Sequence, residues 1–479
     1  MKPFSVLGNA WITTCIVASF SRSELHVISA FQPHQQLKYP SANILQGTNS
    51  PALCASSFDS NYDVETLVNF DETSPRDVQA IGTMQDWALN YCGIQKMQGV
   101  ELNYADETGV DFTLMTTVDI PANTPIMLIP SGPILSSIQA YQEVGDGGSR
   151  QINARDLLER FGKGSEQHFP QLCLFVKILM EYEKGDQSPW FPWLNSLPRR
   201  YNNGASMTPF CFRCLPPLVS KLAKDERTRF IHFQQTLRQM YKNLVKEETL
   251  NDTDLQRWAY NIVYTRGFPT PSGDFTIVPM LDYVNHGTWP NVNVQYDEQG
   301  NCQVYTTTDV PAGSPLHLSY GDPTNPSYLL ARYGFLDETS PATFCKIMID
   351  NPSQEIINMG YNPSRMLFYK DTGAVSPEVW DVLLYRILKE EPSVQQQCYE
   401  AHMTGDVNTK QAIHQHYYPQ TRAALMDHID TFLDDLEYYS SKVQLRDVNE
   451  HPRIPLIVKH NEFVRYVFET TKQALLQQS

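Results

Sequence analysis

A chain of 479 residues has room for two domains, or for one large domain with a satellite, and its 41% hydrophobic content is that of an ordinary globular protein. With 37 Lys and Arg against 53 Asp and Glu, the net charge of −16 argues against a general nucleic-acid binder, which would need a basic face. Nine cysteines, an odd number and widely scattered, do not read as a disulfide framework, and no segment beyond the N-terminus is apolar enough for stable membrane insertion.

Lys2 is followed by a mostly apolar run from Phe4 to Phe20, interrupted by Asn9 and two threonines, and Ser29-Ala30 offers a small-residue cleavage site. Residues 1–30 therefore read as a signal peptide. The junction ISAFQP, with Phe31 just past the cut, resembles the ASAFAP-type junction of diatom plastid precursors. From Phe31 to Phe58 there is no acidic residue, while Ser, Gln, Asn and Pro are frequent, so residues 31–58 read as a transit-like segment. Plastid import is the expectation. An ordinary secretory signal, or a disordered tail on a cytoplasmic protein, is the alternative.

After an acidic lead-in from residue 59, a helix is predicted from Asp77 to Asn90, with Ile81, Met84, Trp87 and Ala88 on one face. GVDFTLMTTVDIPANTPIMLIP (109–130) reads as a pair of strands joined by a turn. Its segment Asp119–Leu128 is matched position by position by Asp309–Leu318, each copy a Pro-Ala-Asn/Gly turn launching a strand. Residues 136–270 are mostly helical, with an amphipathic helix from Gln171 to Lys184. SPWFPWLNSLP (188–198) reads as a hydrophobic hinge packing on the core. Cys211 and Cys214 form one CFRC without a second pair at zinc-finger spacing, so two reduced cysteines in a loop are expected. Asp252 caps a helix over Thr253–Arg266 that places Leu255, Trp258, Ala259, Ile262 and Arg266 on one stripe. Arg266 either complements the helix dipole or carries the stripe into a site.

An apolar entry at 278–284 ends in Asn285-His286, before Gly287 and Pro290. Residues 292–306 alternate around DEQGN and read as a hairpin. Tyr320 and Tyr333 each stand directly before a glycine, separated by a Pro/Asn-rich turn and a short helical run. Beyond Cys345 the chain reads as helices bounded near Pro377, Pro392 and Pro455. One stripe there is Leu425, Ile429, Phe432, Leu433 and Leu436, another Phe463, Tyr466, Val467 and Leu475.

Taken in order, VPMLDYVNHGTWPN and LSYGDPTNPSYLLARYGF resemble the SET domain, the fold of one class of S-adenosylmethionine-dependent protein methyltransferases. The family pattern, DhxNHxxxPN followed by YGxxxNxxLLxxYGF, is met with one extra residue between Asn325 and the leucine pair. Only Cys345 and Cys398 follow Phe335, so the cysteine-rich zinc cluster of many histone methyltransferases is absent from the sequence. WFPWLNSLP is similar to the WxPYLxxLP signature of the Rubisco large-subunit methyltransferase-like branch. The resemblance implies an α+β fold: a β-rich SET core in two halves (59–135 and 271–344), split by a helical insertion (136–270). An all-helical substrate-binding-like domain (345–479) follows.

The resemblance further implies methyl transfer from S-adenosylmethionine to a protein substrate, at a lysine amine; a monomer is expected. It places Tyr333 nearest the chemistry with its hydroxyl free, Tyr320 in support, and Arg266, Asp282, Asn285 and His286 on the cofactor side. The family's GxG before the first strand pair is replaced by Asp111-Phe112-Thr113. Either Gly109, two residues upstream, serves in its place, or cofactor binding is impaired. A non-catalytic binding module and a histidine N-methyltransferase are the alternatives.

Overall fold

The computed structural model describes residues 78–105, 111–147, 152–443 and 448–477. The leader readings over 1–58 and the expectation for Gly109 lie outside the described residues. Helix α1 (Val78–Asp86) runs on through a wider turn at Trp87–Tyr91, and Ile81, Met84, Trp87 and Ala88 are buried as their spacing predicts.

Strands β1 (Gln95–Lys96), β2 (Val100–Tyr104), β3 (Phe112–Thr116), β4 (Pro125–Ile129) and β5 (Leu135–Ser136) follow. The two strands expected within 109–130 form as β3 and β4 but do not pair with each other: β3 pairs with β2, while β4 pairs antiparallel with β1. The reason is the repeat. The turn after Asp119 does not close a local hairpin, because it docks on its own copy nearly two hundred residues later. Ile120 and Val310 exchange both backbone hydrogen bonds, at 2.9 and 2.8 Å. Asp119 accepts from the Ala312 N–H and Asp309 from the Ala122 N–H, both at 2.8 Å. Asn123 and Gly313 take positive φ (60° and 80°) at equivalent places in the two turns, which explains the Asn/Gly choice there. The repeat is thus a local pseudo-twofold clasp joining the two halves of the core.

The insertion comprises α2 (Ser137–Val144), α3 (Ala154–Phe161), α4 (Phe169–Glu183), α5 (Phe191–Ser196), α6 (Pro209–Arg213), α7 (Pro217–Met240), α8 (Glu247–Asn251) and α9 (Thr253–Arg266). Helix α4 is not amphipathic as its sequence suggests: it is buried almost all round, and its charges Lys177 and Glu181 neutralise each other at 2.7 Å inside the core. Cys211 and Cys214 are both buried, packed with Val219 and Leu330 rather than lying in an open loop. The second half of the core adds β6 (Gly267–Pro269), β7 (Phe275–Ile277), β8 (Asn285–His286), β9 (Val292–Tyr296), β10 (Cys302–Thr306) and β11 (His317–Leu318). The β9–β10 hairpin forms as predicted and completes a sheet of order β1-β4-β10-β9, while β8 lies parallel to β11.

Helix α10 (Pro326–Tyr333) leads out of the core, followed by β12 (Ala342–Phe344), α11 (Gln354–Asn358), β13 (Leu367–Tyr369), α12 (Pro377–Ile387), α13 (Pro392–Thr404), α14 (Val407–Ser441) and α15 (Ile454–Gln477). The C-terminal region is therefore not all-helical, because the apolar triplet of β13 pairs back onto β12 across the expected boundary. Pro377 and Pro392 each open a helix, where the missing N–H costs nothing. Leu425, Ile429, Phe432 and Leu436 form the buried stripe of α14, but Tyr466 on α15 is 55% exposed and does not belong to the core.

Candidate active site

Where α9 ends, Arg266 turns into the core. Its Nη1 donates to the Asp282 carbonyl and to Asp282 Oδ2, both at 2.9 Å. Trp193 on α5 donates its indole N–H to the same Oδ2 at 3.0 Å. The Asp282 side chain has no solvent exposure, so this carboxylate is held by one cation and two kinds of donor away from water. Burial opposes the charge on Arg266, but Asp282, then Tyr201 and Tyr283, more than offset it and hold the guanidinium firmly protonated. Arg266 and Asp282, both expected on the cofactor side, form an inward-facing ion pair at 2.9 Å. The sequence reading of this segment, a hydrophobic hinge similar to a family signature, assigns Trp193 no site role; the signal for one is that a buried tryptophan N–H needs a partner.

Strand β8 carries Asn285 and His286. Asn285 Nδ2 donates to the Phe112 carbonyl at 3.3 Å, joining the two halves of the core. His286 is buried as a side chain: its Nδ1 accepts from the Tyr320 N–H at 3.1 Å, and its Nε2 faces Asp337 Oδ2 at 3.4 Å. The backbone donor fixes the tautomer, leaving the proton on Nε2. Burial pushes the Asp337 carboxyl up, but hydrogen bonds from His286, Thr288 and Thr339 win and hold it well below the usual carboxylate range. The imidazole is thus wired between a carboxylate and a strand end.

Tyr320 donates its hydroxyl to the Val284 carbonyl at 2.7 Å. Tyr333, the last residue of α10, donates to the Tyr320 carbonyl at 3.2 Å. The expected free hydroxyl on Tyr333 is corrected here: the turn at Gly334 folds the ring over the Tyr320 backbone, which offers an acceptor. Gly334 is required for that turn, with φ at 84° and no room for a Cβ, which would lie 2.7 Å from the Asn203 amide. Rings of Tyr320 and Tyr333 lie 4.9 Å apart, His286 is 5.6 Å from Tyr320, and Phe335 is 5.7 Å from His286 and 6.2 Å from Tyr333. Burial raises both phenols above the ordinary tyrosine value, so they are neutral at physiological pH. Four rings with both phenols uncharged form an electron-rich surface suited to a cation.

Behind this cluster lies a second buried ionic set. Glu226 on α7 pairs with Arg229 at 2.8 Å and with Arg332 of α10 at 3.1 Å, and Tyr260 donates to it at 2.9 Å. Arg332 also lies 4.1 Å from the Tyr264 ring centroid. Arg332 immediately precedes Tyr333, so Glu226 anchors the helix end from which the tyrosine projects. At the replaced GxG, Phe112 is turned inward against Tyr104 (4.9 Å) and Asp111 is exposed. The Thr113 hydroxyl is buried with no hydrogen-bond partner among the described residues, next to the residue whose carbonyl Asn285 holds.

Residues 111–321 match the family described as the SET domain. SET domain-containing protein 4 of Homo sapiens is 23% identical over 188 residues, covering 36% of this chain and 42% of that protein. The actin-histidine N-methyltransferase of Danio rerio is 22% identical over 253 residues, covering 50% of this chain and 39% of that protein. The chain thus spans about two fifths of the length of these curated relatives. Among solved structures, the SET domain of LSMT bound to lysine and AdoHcy superposes with a TM-score of 0.53 at 14% identity, over 84% of this chain and 91% of that one. That likeness establishes the fold.

Proposed function

We propose that this chain, which carries a SET domain over residues 111–321, is an S-adenosylmethionine-dependent methyltransferase acting on a lysine amine of a protein substrate. The observation that carries the reading is the convergence of Asn285-His286, Tyr320 and the Tyr333-Gly334-Phe335 triplet into one ring cluster whose polar atoms are tied to main chain. The LSMT structure with lysine and AdoHcy supports the same assignment of cofactor and nucleophile. The residues present fit such a cofactor: ring faces suit its sulfonium, and the unpartnered Thr113 hydroxyl beside the Asn285 contact suits its polar groups. S-adenosylmethionine, when bound, supplies the methyl group.

The protein's part is positional. An ammonium has no lone pair, so a lysine must lose its proton before it attacks, and a desolvated channel of aromatic rings lowers its pKa. Tyr333 and Tyr320 line that channel, each ring fixed by packing and by a hydroxyl donating to a carbonyl, so the amine meets walls that do not move. His286 acts through Tyr320 and Asp337, since its ring is enclosed, and is a positioning residue. Arg266, Asp282 and Trp193 hold the segment that leads into Asn285.

Incubating the protein with methyl-labelled S-adenosylmethionine and a cell extract, then locating the label by mass spectrometry, tests the reading. Methyl-lysine is the expected product. Methyl-histidine would select the second reading, which the actin-histidine relative favours. Calorimetry that detects no S-adenosylmethionine binding would leave a non-catalytic binding module. Plastid import is proposed from the ISAFQP junction: residues 1–58 fused to a fluorescent reporter should reach the plastid of a diatom, and Phe31→Ala should divert it. Cytosolic fluorescence from the unmutated fusion would contradict it.

A further inference from the structure

Away from the aromatic cluster, a groove of about 510 Å³ opens between the start of α7 and the end of α14. Its lining carries four cations, Arg213, Lys221, Lys224 and Lys442, against one carboxylate, Asp225, which is already paired with Lys221 at 3.0 Å. The chain as a whole runs the other way, with 37 basic and 53 acidic residues. A concentration of positive charge on so acidic a protein is therefore a local feature, set against a background that repels anions. Lys442 is preorganised there: its ammonium lies 3.7 Å from the Tyr438 ring centroid and 5.4 Å from that of Tyr439, which also lines the groove. Asp435, which is not among the residues lining the groove, acts electrostatically on Tyr439.

We infer that this groove, which none of the ring-cluster residues lines, docks an acidic segment of a protein partner. Size and chemistry favour a peptide over a single anion. The volume falls in the range of pockets that hold a drug-sized ligand, well above a single small anion, and the lining combines cations with the apolar surfaces of Phe212, Leu215 and Tyr439. Duplex nucleic acid is disfavoured by the net charge of −16, which repels its phosphate backbone. The groove joins the insertion to the C-terminal helices. Occupying it would orient a partner on both, and would speed encounter more than it tightened a bound state. The inference does not rest on methyl transfer, and its test reads binding alone.

Fluorescence anisotropy of a labelled octaglutamate peptide with the full-length protein supplies that test. Binding should be saturable and should weaken as salt rises from low to physiological ionic strength. The triple variant Lys221→Glu, Lys224→Glu, Lys442→Glu should bind more than about tenfold more weakly, since three attractive charges become repulsive. Its melting temperature should fall by no more than a few degrees, because Lys221 and Lys224 are exposed and only Lys442 loses ring contacts, to Tyr438 and Tyr439. Reversal of the exposed Lys163 and Lys389, outside the groove, should leave binding unchanged. Equal binding by wild type and triple variant would overturn the inference. So would competition by inorganic phosphate or by an oligonucleotide as effective as that of unlabelled peptide, which would make the groove a site for any anion.

Discussion

On one side of the site stand Tyr320, Tyr333, Phe335 and His286, partly buried rings whose hydroxyls and imidazole bond to main chain and to Asp337. On the other stand Arg266–Asp282 with Trp193, and Glu226 shared by Arg229 and Arg332, charges enclosed in protein and held by opposite charges. The ring side contributes little net charge and can be trimmed by one atom without leaving an ion stranded. The ionic side cannot, since removing either partner leaves the other buried and uncompensated. The comparison separates chemistry from scaffold within one site: substitutions among the rings should be read in turnover, and substitutions among the ions in stability.

The harshest way to break that division is at Glu226. Glu226→Gln strands Arg229 and Arg332, and unfolding in denaturant should show a loss of about 3–5 kcal/mol. Burial pushes this carboxyl up, but Arg229 and Arg332 prevail and hold it at about 2. A depressed acid contributes stability that is present above its unfolded value of about 4.3. Wild-type stability from this group should therefore fall as pH drops toward 2, and the variant should lack that part of the decline. Asp282→Asn removes one half of the Arg266 pair while keeping an acceptor for Trp193, so the expected cost is smaller, about 2–3 kcal/mol by the same measurement. A variant as stable as the wild type at either position would remove the ionic side from the scaffold.

Lys346 sharpens the comparison by showing a buried cation without a carboxylate. Its Nζ donates to Ser327 Oγ on α10 at 3.0 Å and to Thr343 Oγ1 at 3.3 Å, and burial pushes it down to about 7. A lysine depressed on folding costs stability wherever the unfolded chain holds the proton more tightly, below about 10.4. Lys346→Met should stabilise the protein by about 2 kcal/mol at pH 7, and the gain should shrink as pH rises toward 10. His460, 3.1 Å from the same serine and pushed down to about 3 by burial and by Lys346, adds a loss of stability between pH 6.5 and 3. Thermal melts of wild type and Lys346→Met from pH 3 to pH 10 check both signs.

Much of the ring side was legible because its residues lie close in sequence and in a fixed order: Asn285-His286, Tyr320, Tyr333-Gly334-Phe335. Helices with regular apolar spacing, such as α1 and α9, were legible for the same local reason. What escaped was set by long-range contact. The clasp of Asp119 with Ala312 and Asp309 with Ala122 shows in the sequence as a repeat, but not as a mutual embrace. Glu226 meets Arg332 across 106 positions, and Trp193 meets Asp282 across 89, so no periodicity could pair them. The Tyr333 hydroxyl was expected to be free because its acceptor is a backbone carbonyl, which carries no residue-type signal.

The smallest change in the set of predictions is Tyr333→Phe, which removes one hydroxyl and its bond to the Tyr320 carbonyl. Its cost in stability should be about 1 kcal/mol, and S-adenosylmethionine affinity should hold within about twofold. Methyl transfer under single-turnover conditions, measured beside a thermal melt of the same preparation, puts the division between rings and ions to the test. A rate reduced by about tenfold or more with the fold intact is the predicted result, since about 1.4 kcal/mol of lost transition-state stabilisation is a factor of ten. A wild-type rate from a protein that melts several degrees early would contradict it, and would move Tyr333 to the scaffold.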